Sequence, residues 1–134
     1  MGTIGLLTRL AKLVHKRSTE EVLGMRLRQY QLLYALNESA PMRQQDLCER
    51  LWLDPNNCVL LLNEVEALGW AERRRDPEDR RRHVVDITPE GRRAFERAQE
   101  AQAGLEGEVL GALSTEERAT LHRLLAKALD GQRG

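Results

Sequence analysis

Two helix starts of the same kind divide this chain and limit the folds that it can form. Asp54 precedes Pro55, and Thr88 precedes Pro89. In each pair the first side chain can cap a helix, and proline suits the first helical position because its missing N–H has no partner there. The helix that starts at Pro55 is expected to end at Gly69, since glycine commonly terminates helices.

The segment between these two helices predicts a two-stranded hairpin. Residues 70–75 and 82–88 have the composition of short strands, and a charged turn at 76–81 separates them. Residues 73–82 contain six arginines and three acidic residues, whereas residues 54–69 contain three acidic residues and neither Lys nor Arg. Positive charge near the helix that starts at Pro55 is therefore expected to come from the hairpin.

Helical periodicity accounts for the rest of the chain. Helices are expected over about 3–22, 28–37 and 44–51, with Gly24 after the first of them. The helix that starts at Pro89 is expected to pass Ala103 and to weaken at Gly104, Gly107 and Gly111. A final helix opens at Ser114, with Glu117 three residues later as in a capping box.

Composition sets limits on the class of protein. The 134 residues suit one domain, and 21 basic residues balance 21 acidic ones, so the formal net charge is zero. No apolar run is long enough to span a membrane or to serve as a signal sequence. Two cysteines without an export signal indicate reduced thiols in a cytoplasmic protein.

The sequence contains no pattern typical of an enzyme or a metalloprotein. It has no Gly-rich phosphate loop and no nucleophile elbow. His15, His83 and His122 are dispersed, without metal-ligand spacing. We therefore expect no catalytic residues, no metal and no cofactor.

Two short helices joined by a tight turn and followed by an arginine-rich hairpin have the order of a winged helix-turn-helix. Leu47, Cys48 and Leu51 on the first helix can face apolar positions on the second. The expected fold is mainly α, with a small two- to three-stranded antiparallel wing between N- and C-terminal helices.

A helical projection of residues 55–68 separates two faces. The face expected to be buried consists of Cys58, Leu61, Leu62, Val65 and Leu68, and the opposite face consists of Asn56, Leu60, Asn63 and Ala67. Asparagine can bind adenine and an aliphatic side chain can contact a thymine methyl group, so we expect Asn56, Leu60 and Asn63 to contact bases. The alternative is an ordinary polar face with one exposed leucine.

The arginines of the hairpin lie beside that helix, where an arginine can enter a narrow minor groove. Asp79 is expected to hold Arg81 by a charge-assisted hydrogen bond. The alternative is a solvated charged turn without a partner.

These segments resemble the MarR family of bacterial regulators. The resemblance is carried by residues 46–51, Asp54, residues 61–69, the wing motif at 75–82 and residues 87–92. It implies a homodimer whose first and last helices interlock, with a recognition helix in the major groove of each half of a palindromic operator. It also implies release from DNA when a small aromatic or phenolic ligand binds.

By position, the resemblance assigns Asp79 and Arg81 to the wing pair, and Gln44 and Gln45 to a phosphate-facing helix start. Residues 28–91 would bind DNA, and residues 1–27 and 92–134 would dimerise. The complete set expected to contact DNA is Gln44, Gln45, Asn56, Asn57, Leu60, Asn63, Arg74, Arg80, Arg81 and Arg82.

The chain departs from the family pattern at three places. Trp52 stands in the turn where many members have glycine, and Leu60 replaces an arginine often found on the reading face. Arg26 and Arg28 open a helix where threonine and proline are common.

Two smaller sets of residues have competing interpretations. Cys48 and Cys58 should touch in a helix-turn-helix, so they are either a redox pair or, as we favour, two small buried core residues. His15, Tyr30 and Tyr34 either line an effector cleft or belong to the core and an interface.

One rival function comes from a different class. A dimer of this fold could bind a protein partner through its acidic, leucine-bearing helix, with weak or no DNA binding. The absence of basic residues at 54–69 favours this module, and the six arginines of the hairpin oppose it.

Overall fold

The computed structural model describes residues 1–132 and, within them, seven helices and three short strands. Their order along the chain is α1 Thr3–Arg17, α2 Glu20–Leu23, α3 Leu27–Ser39, β1 Met42–Arg43, α4 Gln44–Arg50, α5 Pro55–Ala67, β2 Ala71–Arg75, β3 His83–Ile87, α6 Pro89–Val109 and α7 Thr115–Asp130. The mainly α fold with a small antiparallel sheet is thus confirmed.

The sheet has the strand order β1-β3-β2, and both pairings are antiparallel. In the hairpin, Ala71 pairs with Ile87 and Arg75 pairs with His83. The third strand is β1, whose Met42 pairs with Val85. It anchors the hairpin to the segment just before α4, so the wing is fixed to the helix-turn-helix at its base.

The core lies where α3, α4, α5, β3 and the start of α6 meet. Its largest fully buried side chains are Phe95, Met25, Leu32, Leu33, Leu36, Leu47, Leu62, Val65, Val85 and Cys58. These residues recur at helical spacing on α3 and α5 and at the middle of β3, so each element buries one apolar face. The packing holds α5 against the rest of the fold and leaves its opposite face exposed.

The predicted single helix over 3–22 is wrong. Two helices, α1 and α2, replace it, because Thr19 adopts an extended conformation and its side chain accepts a hydrogen bond from the backbone N–H of Val22. A helix cap therefore interrupts the predicted helix. Gly24, in a left-handed conformation, ends α2.

Helix α6 is longer than the sequence predicts. It continues through Gly104 and Gly107 to Val109, so that of the three glycines expected to weaken it only Gly111 lies beyond its end. Two glycines cost about 1 kcal/mol each relative to alanine in a helix interior. Ala94, Phe95, Ala98 and Leu105 on its buried face offset that cost.

Among the helices described over residues 1–132, none is sufficiently long and apolar to cross a membrane. The same part of the chain contains no group of three or more His, Cys, Asp or Glu side chains arranged to hold a metal ion.

Candidate nucleic-acid interface

The turn between α4 and α5 contains an exposed tryptophan in an uncommon conformation. Trp52 has φ 51°, in the left-handed region, and is 74% exposed. Its backbone N–H donates to the carbonyl of Glu49, and that of Leu53 donates to the carbonyl of Cys48. A non-glycine residue in this region costs of order 1–3 kcal/mol, a cost that glycine would not carry.

Cys48 and Cys58 form a disulfide in this structure, which corrects the expectation of reduced thiols. The packing of α4 on α5 brings their Cα atoms to 5.6 Å, within the range that a disulfide bridges. Both residues are buried, as their assignment to the core predicted. The bond joins the two helices of the helix-turn-helix at their contact.

The exposed face of α5 agrees with the helical projection. Asn56, Leu60, Asn63 and Ala67 are all exposed, whereas Cys58, Leu61, Leu62 and Val65 are buried. Leu68 is wrongly predicted, because it follows the last helical residue and is 47% exposed. The helix thus presents two asparagines and a leucine to solvent along one side.

Asp54 caps this helix as expected. Its Oδ1 accepts a hydrogen bond of 3.0 Å from the backbone N–H of Asn57, and this bond is the main cause that lowers the pKa of the Asp54 carboxyl group. The Nδ2 of Asn57 donates to the other carboxylate oxygen at 2.6 Å. Asn57 therefore supports the helix start with its side chain as well as being exposed to solvent.

The two glutamines at the start of α4 differ from one another. Gln45 is exposed, and its Nε2 donates to Glu49 at 3.4 Å. Gln44 is half-buried, and its Oε1 is buried without a hydrogen-bond partner among the residues described. Only Gln45 has the full exposure expected of a side chain that faces a phosphate.

The loop of the hairpin is organised around Asp79. Its Oδ1 accepts from the Nε of Arg81 at 3.2 Å and from the backbone N–H of the same residue, and its Oδ2 lies 3.5 Å from the Nε of Arg82. The side-chain hydrogen bond from Arg81 is the first cause that lowers the pKa of Asp79. The predicted contact between Asp79 and Arg81 is present, and the Arg81 side chain remains 91% exposed.

Further contacts hold the base of the wing, and the sequence did not predict them. Asp76 is buried; its Oδ1 accepts from the backbone N–H of Glu78, and its Oδ2 lies 3.5 Å from the Nε of Arg43 on β1. The Nη1 of Arg75 donates to the carbonyl of Arg80 at 2.8 Å. An aspartate at the first position of a charged turn was the available signal.

The remaining two predicted wing arginines, Arg74 and Arg80, occupy different settings. Arg74 lies 3.4 Å from Asp86 across the hairpin, with its side chain half exposed. Arg80 is exposed at the loop. The wing therefore combines arginines that stabilise the hairpin with arginines that extend into solvent.

Two ion pairs neutralise the acidic residues of α5, and the sequence did not predict them either. Arg26, at the start of α3, lies 2.7 Å from Glu64, and Arg73 of β2 pairs with Glu66. Arg73 also donates through Nη2 to Oδ1 of Asn63 at 2.6 Å. The wing and the exposed face of α5 are thus directly connected.

A second feature is a cleft of about 650 Å³ between α1, α3, α6 and α7. Tyr30 and Tyr34 line it, together with His122, whereas His15 is exposed on α1 outside the lining. Tyr30 stacks on Phe95 with ring centroids 5.4 Å apart, and burial raises the pKa of Tyr30 to about 12. The cleft has the size and apolar character of a small-molecule site.

Ser18 adds a polar group to this cleft. It is buried and lines the cleft, and its Oγ has no hydrogen-bond partner among residues 1–132. A buried hydroxyl without a partner is uncommon in folded proteins.

Comparison with known proteins places these features in a family. A model described as "MarR family" matches residues 23–82, from the end of α2 to the wing loop. The HTH-type transcriptional regulator YdgJ of Bacillus subtilis is 31% identical over 108 residues, which are 81% of this chain. The chain belongs to the MarR family. It spans 66% of the length of YdgJ.

Solved structures of transcriptional regulators have the same fold. A mutant MarR of Escherichia coli, complexed with operator DNA, is 25% identical and has a TM-score of 0.79, with 92% of this chain and 91% of that chain covered. PcaV of Streptomyces coelicolor, in complex with its natural ligand, is 26% identical with a TM-score of 0.78, over 97% of this chain and 93% of that one. The MarR family consists of transcriptional regulators rather than enzymes.

Proposed function

We propose that this MarR-family chain is a sequence-specific, double-stranded DNA-binding regulator that acts as a cytoplasmic homodimer, and that it is a ligand-responsive repressor. One observation carries the proposal. The exposed face of α5 and the arginine-rich wing form one continuous surface, because Arg73 of the wing binds Asn63 of the helix. A recognition helix flanked by a basic loop fits a major groove and the adjacent minor groove.

Electrostatics supports DNA over an acidic-helix partner site. Glu64 and Glu66 are paired with arginines from α3 and β2, and Asp54 is engaged in capping α5. The negative charge counted along the helix is therefore largely compensated in the folded chain. Arg81 extends into solvent from the wing loop, where a phosphate or a narrow minor groove would attract its charge.

The terminal helices support a dimer. No residue of α1 or α7 is buried in the single chain. Their exposed apolar side chains are Ile4, Leu6, Leu7, Leu10, Leu124, Leu125 and Leu129. Apolar surface on this scale is typical of a face that a second copy covers. We assign residues 1–27 and 92–134 to dimerisation and 28–91 to DNA binding; residues 133 and 134 lie outside the described part of the chain.

The cleft supports a ligand response. Tyr30, Tyr34 and Phe95 form an aromatic cluster, and Tyr30 and Tyr34 line the cleft, so a small aromatic molecule could stack there. The unpaired hydroxyl of Ser18 offers a hydrogen bond to a polar group on that molecule. Ligand control requires different affinities for two dimer shapes, one of which binds DNA.

The test is a binding assay on fragments of the source genome, followed by footprinting at several salt concentrations. The regulator is expected to protect a palindrome with half-sites about one helical turn apart and to show a steep salt dependence. Absence of binding even at low salt would contradict the proposal and support the protein-interaction module. Protection of half-sites without dyad symmetry would contradict the homodimer.

A further inference from the structure

We infer that Arg73 is a specificity-determining positioning residue that fixes the orientation of the Asn63 side chain on the exposed face of α5. The inference rests on the proposed DNA-binding function and names a determinant within that site. Its basis is the pair of contacts that one guanidinium group makes, to the carboxylate of Glu66 and to the side chain of Asn63.

The chemistry of this contact determines which end of the amide is available. A guanidinium group has donors and no acceptor, so the atom of Asn63 that faces Arg73 must be the oxygen. The contact is 2.6 Å between Nη2 of Arg73 and Oδ1 of Asn63. The Nδ2 group of Asn63, with its two N–H donors, is therefore the end left for a base.

Arg73 is itself held in place. Its side chain is only 23% exposed, and its Nε forms an ion pair with the carboxylate of Glu66. Asn63 and Glu66 are three residues apart on α5, so they lie on the same side of the helix. Arg73 contacts both of them, so its side chain is already ordered in the free protein. DNA binding therefore costs no further side-chain entropy at Arg73.

Base preference follows from this orientation. Adenine is bound by asparagine through a donor and an acceptor together, whereas guanine presents two acceptors, N7 and O6, in the major groove. The Asn63 oxygen already accepts from Arg73, so one of its two lone pairs is taken, whereas both N–H donors of Nδ2 remain free. At the position that Asn63 contacts, the protein is therefore expected to prefer guanine to adenine.

The experiment measures affinity for operator fragments in which each base pair is substituted in turn. Asn63→Ala identifies the contacted position as the one where base preference is lost. At that position Arg73→Met is expected to shift the guanine-to-adenine ratio by about tenfold toward adenine, because the freed oxygen can accept from the adenine amino group. Arg73→Lys retains a cationic donor and is expected to keep the guanine preference.

Arg74→Met is the matched control. It removes the same charge from the neighbouring position of β2, on the opposite face of the strand, where Arg74 pairs with Asp86. It is expected to lower affinity for all sequences and to leave the base order unchanged. Circular dichroism checks that each variant is folded. The side-chain amide NMR signals of Asn63 report its contact with Arg73, and in the absence of DNA they are expected to shift in Arg73→Met.

The outcomes separate the inference from the function on which it rests. Specific binding with an unchanged guanine preference in Arg73→Met overturns the positioning role and leaves the regulator intact. If the wild-type protein binds its operator specifically but Asn63→Ala changes the base preference at no position, the positioning role is overturned as well. If the wild-type protein binds no operator at all, the proposed function and the inference both fail.

Discussion

Gly91, in the first turn of α6, packs directly against the carbonyl oxygen of Trp70, so that even a methyl group at position 91 would overlap that oxygen. The contact joins the start of the wing to the start of α6. A second bond supports the same junction, because the hydroxyl of Thr88 donates to the carbonyl of Gly69 at 2.6 Å.

Gly91→Ala is therefore expected to destabilise the protein by about 1–3 kcal/mol, since the neighbouring backbone must move. Urea unfolding measures the change. Gly104→Ala is the control, because a Cβ atom there meets nothing within 4 Å and alanine is favoured in a helix interior. That variant should gain about 0.5–1 kcal/mol. Equal stability of the two variants would contradict the packing described.

Arg81→Ala is expected to weaken operator binding and to reduce the slope of log affinity against log salt by about one, with no loss of folding. The reason is that its exposed guanidinium group is held by Asp79 at the tip of the wing. Fluorescence anisotropy at several salt concentrations gives both quantities. Arg97 is an exposed arginine on α6, and Arg97→Ala should change neither the affinity nor the salt slope. An equal effect of the two substitutions would point to the net charge of the protein rather than to the wing.

Asp79 is expected to titrate below the ordinary range of an aspartate. Because its pKa in the folded protein is lowered, the contact with Arg81 stabilises the loop at pH values above that ordinary range and is lost as the pH falls through the lowered pKa. The carboxyl ¹³C chemical shift of Asp79 reports the titration. In Arg81→Ala the midpoint should rise, since the first cause of the lowered pKa is removed, and an unaltered midpoint would exclude that cause.

Leu129→Glu is expected to convert the proposed homodimer to monomers, because it adds a charge to the exposed apolar face of α7. Sedimentation equilibrium measures the association constant. Leu68→Glu makes the same change at an exposed leucine at the end of α5 and should leave the association constant unaltered. If Leu129→Glu leaves the dimer intact, the interface does not include this face of α7.

A phenolic acid such as 4-hydroxybenzoate is expected to raise the melting temperature and to lower operator affinity, because it can stack in the aromatic cleft. Cyclohexanecarboxylate, which lacks the aromatic ring, should have the weaker effect. Tyr34→Ala should abolish the shift, whereas His15→Ala, outside the lining, should retain it. Equal shifts in both variants would argue against binding in this cleft.

The parts of the fold that the sequence predicted are those set by local patterns. Asp54 with Pro55 and Thr88 with Pro89 begin helices because capping depends on adjacent residues, and the exposed face of α5 follows from helical spacing alone. The contact between Asp79 and Arg81 is equally local.

The contacts that the sequence did not predict depend on tertiary packing. Arg73 meets Asn63, and Arg26 meets Glu64, only because β2 and α3 pack beside α5 at one particular register. The break between α1 and α2 is a different case, since it depends on Thr19, a capping residue type that the prediction of one helix over 3–22 did not take into account.

Helix α3 has two roles in this arrangement. Its Tyr30 forms part of the wall of the aromatic cleft, and Arg26 at its start holds α5 through Glu64. The two residues are one helical turn apart. Any displacement of α3 at Tyr30 would therefore be felt at the contact between Arg26 and α5, a single turn away.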